Sequence, residues 1–278
     1  MKQLLIYCCL LFLPLNLYSQ TGQLTGSMGF GFSSYLGDLK KSRGLDTKPS
    51  INLGVRYTIL ERVSLRGTIA WYQLAAADSE NGDQVFKNRN LSFKSNNFEF
   101  GGHGVVSLFP EVGSKYTSKR NSSPFNPYAF LGVGITTYKP TAELNGERFN
   151  LRKLQTEGVK YGSVAFAIPA GLGIRYKIND DWAVGLEGGY RLIFTDYLDD
   201  VSTVYQDPNF FEDPNAAALA DRGPELGLPA KMAGDRRGNP SNDDNYFIIS
   251  INIEYLNALN LFGGGNPYNS FRPKRRKR

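Results

Sequence analysis

The chain has 278 residues and a formal net charge of +6, and six cations, Arg272, Lys274, Arg275, Arg276, Lys277 and Arg278, follow the last acid, Glu254. The body is therefore balanced and only the end is basic, which argues against nucleic-acid binding, since that needs a folded basic face with interleaved aromatics. Both cysteines, Cys8 and Cys9, fall in the first 19 residues, so the chain after them offers no thiol for a disulfide, a redox pair or a soft metal site.

The first residues read as a secretory leader. Met1-Lys2 is a short positive start, Leu4 to Leu15 is a brief apolar run, and small Ser19 marks a cleavage site near Ser19 or Gln20. Tyr7 before Cys8, with few residues upstream, does not suit lipid attachment. No later segment reaches the roughly 18 apolar residues of a membrane helix, which leaves a barrel as the way to cross a membrane.

Beyond the leader the pattern is two-residue alternation, which puts alternate side chains on opposite faces of a strand. In chain order, Leu24, Met28, Phe30 and Phe32 oppose Thr25, Ser27, Gly29, Gly31 and Ser33; then Ile51, Leu53, Val55, Tyr57 and Ile59 oppose Ser50, Asn52, Gly54, Arg56 and Thr58. Val63, Leu65, Ile69 and Trp71 oppose Arg62, Ser64, Arg66 and Thr68, and Phe98, Phe100, Val106 and Leu108 oppose Glu99, Gly101, His103 and Ser107. A fifth strand, from about Pro127 to Tyr138, sets Leu131, Val133 and Ile135 against Tyr128, Phe130, Gly132 and Gly134. The sixth sets Val164, Phe166, Ile168, Leu172, Ile174 and Tyr176 against Ala165, Ala167, Gly171, Gly173 and Arg175. The seventh sets Trp182, Val184, Leu186, Tyr190, Leu192 and Phe194 against Gly185, Glu187, Gly189 and Arg191. The last sets Phe247, Ile249, Ile251, Ile253 and Tyr255 against Ser250, Asn252 and Glu254.

A soluble sandwich also alternates, so three further features choose lipid. Several strands run to about ten residues or more, the length that crosses a bilayer at a tilt, whereas soluble strands average about five or six. Tyr35, Tyr57, Trp71, Tyr138, Tyr176, Trp182, Phe194, Tyr197 and Tyr255 gather toward strand ends, as interface girdles do. Finally, Arg56, Arg66, Arg175 and Arg191 share a face with Glu99, Glu187 and Glu254, and the narrow lumen of a barrel of about eight strands can hold such paired charges. The expected architecture is all-β, an antiparallel transmembrane barrel with long extracellular loops. With the amino terminus in the periplasm, the turns at Leu60-Glu61 and Asn179 to Asp181 lie inside, and the connections 36 to 49, 75 to 92, 139 to 163 and 197 to 245 lie outside. The stretch from Glu111 to Asn126 is long for an inner turn: either it is a feature that meets a partner or the strand count is off by one hairpin.

Catalytic signals are sparse. His103 lies on the interior face near Glu99 without a second histidine, a cysteine or a Gly-x-Ser-x-Gly motif, and reads as a packed lumen residue. The glycine pairs 29/31, 132/134 and 171/173 sit inside strands, as close packing requires, and do not complete a nucleotide-binding motif. Asp78, Glu80 and Asp83 with Gly82, and the cluster Asp196, Asp199 and Asp200, lack the bidentate glutamate of a calcium loop and read as solvated loop acids. No enzyme activity and no cofactor is expected. The loop from 207 to 244 is rich in turn formers, with Ala216 to Ala220 its one helical candidate.

Several stretches resemble one family. Ser34-Tyr35-Leu36-Gly37-Asp38-Leu39, Pro127 to Gly134, Ile168 to Gly173 and above all Arg191 to Ser202, with its run Phe194-Thr195-Asp196-Tyr197-Leu198-Asp199-Asp200-Val201-Ser202, are similar to the PorG-like outer-membrane proteins of Bacteroidota. The likeness spans most of the chain after the leader, and it brings no catalytic residues. It implies a component of the type IX secretion and gliding machinery that anchors the periplasmic PorK/PorN ring to the outer membrane. The expected organisation is a signal peptide over 1–19, a barrel over 20–257 in contact with outer-membrane lipid, and a basic tail over 258–278, with both termini in the periplasm. Arg272, Lys274, Arg275, Arg276, Lys277 and Arg278 are then the candidate partner-binding residues, a flexible cationic segment that docks on an acidic surface by charge. The alternative is a free-standing barrel with a structural or surface ligand-binding role.

Overall fold

The computed structural model describes residues 23–39, 47–111, 123–241 and 243–258. Eight long strands close into an antiparallel barrel: β1 (Gln23–Leu36), β2 (Thr47–Leu60), β3 (Val63–Ala77), β4 (Ser92–Ser107), β5 (Phe125–Thr137), β8 (Val164–Lys177), β9 (Trp182–Ile193) and β10 (Asn245–Tyr255). A short hairpin, β6 (Thr141–Leu144) and β7 (Glu147–Asn150), stands in the connection between β5 and β8. Each long strand pairs with its neighbour in sequence, and β1 pairs with β10 from Gly26↔Tyr255 to Leu36↔Asn245, so the long strands leave no free edge.

The burial pattern is that of a soluble sheet turned inside out. Large apolar side chains point away from the protein, with Leu131 62% and Ile251 63% exposed, while Arg56 and Glu99 are only 2% and 1% exposed. Water would penalise such a surface at about 25 cal/mol per Å² of apolar area, and hydrocarbon does not. The alternating sets expected from the sequence take their expected faces, except that Arg62, expected inward with Ser64 and Arg66, lies exposed in the turn between β2 and β3. Across strands, Phe30↔Ile51 and Leu53↔Ile69 pair on the outer surface, and within the lumen the register sets large against small. Tyr128 lies opposite Gly173 and Phe130 opposite Gly171. A Cβ added at Gly173 would lie 2.3 Å from Tyr128 Cζ, so glycine is what admits the ring.

The two ends differ. At one end, here the turn end, β2 and β3 join through Glu61 and Arg62, and β8 and β9 join through a turn in which Asn179 Oδ1 accepts from the backbone N–H of Asp181 and Trp182 at 2.9 and 2.8 Å. The longer connection between β4 and β5 also starts here. Eight long strands close the barrel without it, and residues 112–122 lie outside the described set. The other end, the loop end, carries the four long connections. There β3 and β4 run on past the alternating segments, and their inward residues become apolar: Tyr72, Leu74, Ala76 and Phe93 are buried. Together with Tyr35, Leu39, Tyr138, Leu198, Val201 and Leu219 they form a core that closes the mouth. Tyr35, Tyr138 and Tyr197 therefore belong to this core or pack against it and not to an interface girdle, whereas Tyr57, Tyr176, Trp182 and Phe194 are exposed on the outer surface as expected.

Candidate functional site: a filled lumen under a stapled cap

The lumen is occupied by ion pairs stacked from the turn end upward. Lowest is a closed ring in which Arg56 reaches Glu111 at 2.7 Å and Glu254 at 3.0 Å, and Arg175 reaches the same two carboxylates at 2.8 and 2.7 Å. Glu111 enters from the β4–β5 connection, and Ser107 Oγ donates to it at 3.0 Å. Above it, Arg66 grips Glu187 with two contacts of 2.5 and 3.1 Å, and Tyr128 donates to the same carboxylate at 2.8 Å. Next, Arg191 lies 3.3 Å from Glu99, which also accepts from the Tyr246 hydroxyl at 2.5 Å. Tyr246 stacks on Tyr72 with centroids 4.6 Å apart, and Tyr72 meets Thr136 Oγ1 at 2.6 Å. Each charge lost from water gains an opposite charge and further hydrogen bonds, the condition under which buried pairs are tolerated. Between Arg66, Glu99, His103, Glu187 and Arg191 lies a cavity of about 30 Å³, room for a water molecule. His103 is the packed lumen residue the sequence suggested, its ring edge-on to Phe130 at 5.6 Å.

Over the mouth sits a cap built from all four long connections, and two buried arginines hold it together. Arg89 binds Asp78 through two contacts of 2.7 Å and donates to the carbonyls of Arg237 at 2.6 Å and Asp38 at 3.0 Å. Arg237 donates to Glu157 at 2.9 Å and to the carbonyls of Asp200 at 2.5 Å and Ala220 at 3.0 Å. Glu157 in turn accepts from the N–H groups of Ser202 and Thr203, both at 2.9 Å. Local sequence builds the cap elements: Asp83 and Asp213 each accept from the N–H two residues ahead, at 2.9 and 2.8 Å, to start the helices Gln84–Arg89 and Pro214–Ala220, the latter with Pro214 in its first turn. The helix expected around Ala216 to Ala220 is thus present, and the one after Asp83 was not expected.

The acids Asp196, Asp199 and Asp200, read from the sequence as solvated, are buried in this cap, as is Asp78. Thr156 and Tyr161 donate to Asp200, whose carboxyl burial pushes up to about 6 against the opposing pull of Arg237. Asp196 is 8% exposed with no donor at full hydrogen-bond geometry on either oxygen. Burial raises it to about 7, the nearby Asp38, Asp243 and Glu157 add to the rise, and the Ser202 hydroxyl offsets part of it. Tyr35 links Asp199 and Asp244, at 2.6 and 2.5 Å. Among the described residues no three histidine, cysteine or carboxylate side chains are placed to hold a metal ion. Beside the arginine staple an open cleft of about 830 Å³ is bordered by Phe86, Tyr205, Asn81, Asn239, Lys231 and Arg236.

The six tail cations, Arg272 to Arg278, lie outside the described residues. Arg56, Arg66, Arg175, Arg191, Glu99, Glu187 and Glu254 meet in the lumen as their shared face implied, and Glu111 joins them from what the sequence presented as a connection. Arg89, Glu157 and Arg237 carry no periodic signal in the sequence. Local signals that these loops fold are the capping aspartates Asp83 and Asp213 and the Ala216 to Ala220 run.

Solved structures similar to this chain include Neisserial surface protein A, with 9% identity, 84% of this chain and 96% of that one covered and a TM-score of 0.41. The outer membrane protein OprG of Pseudomonas aeruginosa gives 16%, 85% and 97% with a TM-score of 0.40, and the attachment invasion locus protein Ail of Yersinia pestis gives 10%, 85% and 100% with a TM-score of 0.38. No curated protein matches the sequence. The family model described as outer membrane protein beta-barrel domain matches residues 5–209, more than half of the chain. The fold is a closed eight-stranded barrel, apolar outside and charged within, and this chain is a member of the outer membrane protein beta-barrel domain family.

Proposed function

We propose that this protein is a non-enzymatic structural barrel of the outer membrane, which spans the bilayer without conducting solutes and presents its stapled cap outside the cell for envelope contact or a surface ligand. The observation that carries this reading is the filled lumen, from the Arg56 ring through Arg66–Glu187 to the Tyr72–Tyr246 stack. In the matching orientation the long loops face outward, both termini are periplasmic, and the leader covers 1–19. The cleft beside Phe86, Tyr205 and Arg236 is where a surface ligand would sit. Purified barrel inserted into planar bilayers should give no steady porin-like current, and Lys231 should react with an impermeant amine reagent on intact cells. A sustained channel conductance would overturn the reading.

A second reading, an anchor for the periplasmic PorK/PorN-like ring of a type IX secretion system, is supported by the Phe194 to Ser202 resemblance and by the cationic end of the chain. In it Arg272, Lys274, Arg275, Arg276, Lys277 and Arg278 dock on an acidic ring surface, with the Glu111 to Asn126 connection as a second contact. Deleting residues 272–278 at unchanged barrel levels tests it. Ring association and secretion should both fall, and if both persist the tail is not the anchor.

A further inference from the structure

The cap contains a hydrogen-bond arrangement that is one proton short. The Tyr35 hydroxyl, at the end of β1, lies 2.6 Å from Asp199 Oδ2 and 2.5 Å from Asp244 Oδ1, and all three residues are buried. A hydroxyl donates one proton, so it satisfies one carboxylate, and the second short contact requires a proton on the other carboxyl, which then donates to the tyrosine oxygen. The remaining oxygens are already engaged: Asp199 Oδ1 accepts from Val201 N–H at 2.8 Å and Asp244 Oδ2 from Leu198 N–H at 2.9 Å. There is no room for a water to take the place of this proton on the Gly37 side, where even a Cβ would fall 2.0 Å from Asp244 Oδ1.

We infer that Asp199 and Asp244 share a proton through Tyr35, and that this shared proton is a latch that holds the cap shut over the barrel mouth and opens when it is lost. The three residues join three of the chain segments that meet at the mouth: the end of β1, the run after β9, and the residue before β10. The groups around them do not replace the proton. Asp38 from the β1–β2 connection and Asp196 from the run after β9 are acids within electrostatic reach. Tyr138, after β5, is neutral, and Arg89, whose charge reaches Asp199, spends its hydrogen bonds on Asp78 and on carbonyls. Burial first, then the neighbouring acids, hold both carboxyls well above the usual range. The sign follows: a folded-state pKa raised above its unfolded value stabilises the closed cap at low pH, and that stability is lost as pH rises through the folded value. Two adjoining buried carboxylates then repel, and Leu198 and Val201 leave the mouth core.

Hydrogen exchange by mass spectrometry on the detergent-solubilised full barrel, corrected for intrinsic rates and run from about pH 5 to about pH 10, reads the latch, with each pH unit between the ordinary carboxyl pKa and the raised closed-cap value lowering protection by up to about tenfold. Peptides covering 195–204 should lose protection as pH rises while the strand peptides hold. Asp244→Asn and, independently, Asp199→Asn should lose much less protection than the wild type as pH rises, because the amide carbonyl still accepts the backbone N–H and the amide nitrogen permanently supplies the missing proton to Tyr35. Tyr35→Phe should be weakly protected at every pH. A flat wild-type profile, an asparagine variant that keeps the wild-type slope, or protection governed by millimolar calcium and not by pH would each overturn the latch.

Discussion

Arg237 and Glu157 stand 80 positions apart in the chain and meet at 2.9 Å with both side chains 2% exposed, joining the β9–β10 and β5–β8 connections over the barrel mouth. The contact is the centre of the cap, because the same guanidinium also holds the carbonyls of Asp200 and Ala220. Replacing Arg237 by Met keeps much of the volume and strips Glu157 and Asp200 of their cation. Breaking one side of a buried pair costs about 3–5 kcal/mol. The barrel stays folded, since none of these contacts lies in the strands, but trypsin should cut at Arg222 and Lys231 much faster than in the parent. Unchanged cleavage kinetics would mean that the cap is held elsewhere.

Arg66 and Glu187 make the corresponding test inside the lumen. Arg66→Met leaves Glu187 with only the Tyr128 hydroxyl as donor, and unfolding in urea from detergent micelles should show a loss of about 3–5 kcal/mol. The double variant Arg66→Met with Glu187→Gln leaves no buried net charge and should recover a good part of the loss. If the double is as weak as the single, packing against Phe130, whose ring lies 4.8 Å from the guanidinium carbon, and not charge, is what Arg66 supplies.

The membrane face gives a prediction of opposite kind. Ile251 is among the more exposed large apolar residues, and on a water-facing surface its replacement by Arg would be nearly neutral. In a bilayer Ile251→Arg should cost about 2–4 kcal/mol near the midplane and less near either interface. Folding yield into lipid vesicles, compared with that of Asn257→Arg just beyond β10, measures it directly.

How far the sequence reached follows from where the environment is uniform. From Leu24 to Tyr255 one face meets hydrocarbon and the other a charged lumen, so period-two alternation survives and all eight strands, with Arg56, Glu99 and Glu254 turned inward, were legible. Past Trp71 on β3 and before Phe98 on β4 that contrast ends: Gln73 and Asn96 pair on the outer face while Leu74 and Phe93 turn inward, so the alternation inverts and the alternating sets stop short of these strand ends. The cap was hidden for another reason. Its order rests on Arg89, Glu157 and Arg237, single side chains from distant segments, and long-range charge pairing leaves no local period. Aspartates in a loop rich in glycine, proline and asparagine look solvated by composition, and only the fold that buries Asp199 and Asp244 behind Tyr35 reverses that.

Asp196 separates the latch from the general burden of acid in the cap. Its carboxyl is raised to about 7 by burial, so the folded state binds a proton that the unfolded chain gives up at a lower pH. The sign is therefore a contribution that is complete below about pH 4, the unfolded value, and disappears as pH rises through about 7. Asp196→Asn removes this penalty and should raise cap protection at pH above 7 while leaving it unchanged in acid, up to about tenfold for each unit of pKa shift relieved. Unlike the asparagine variants at 199 and 244, it leaves the Tyr35 bridge intact, so the loss of protection that comes from the bridge remains. Exchange of the 195–204 peptide in the two kinds of variant distinguishes them, because Asp196→Asn keeps the pH dependence of the bridge and Asp244→Asn keeps only that of Asp196.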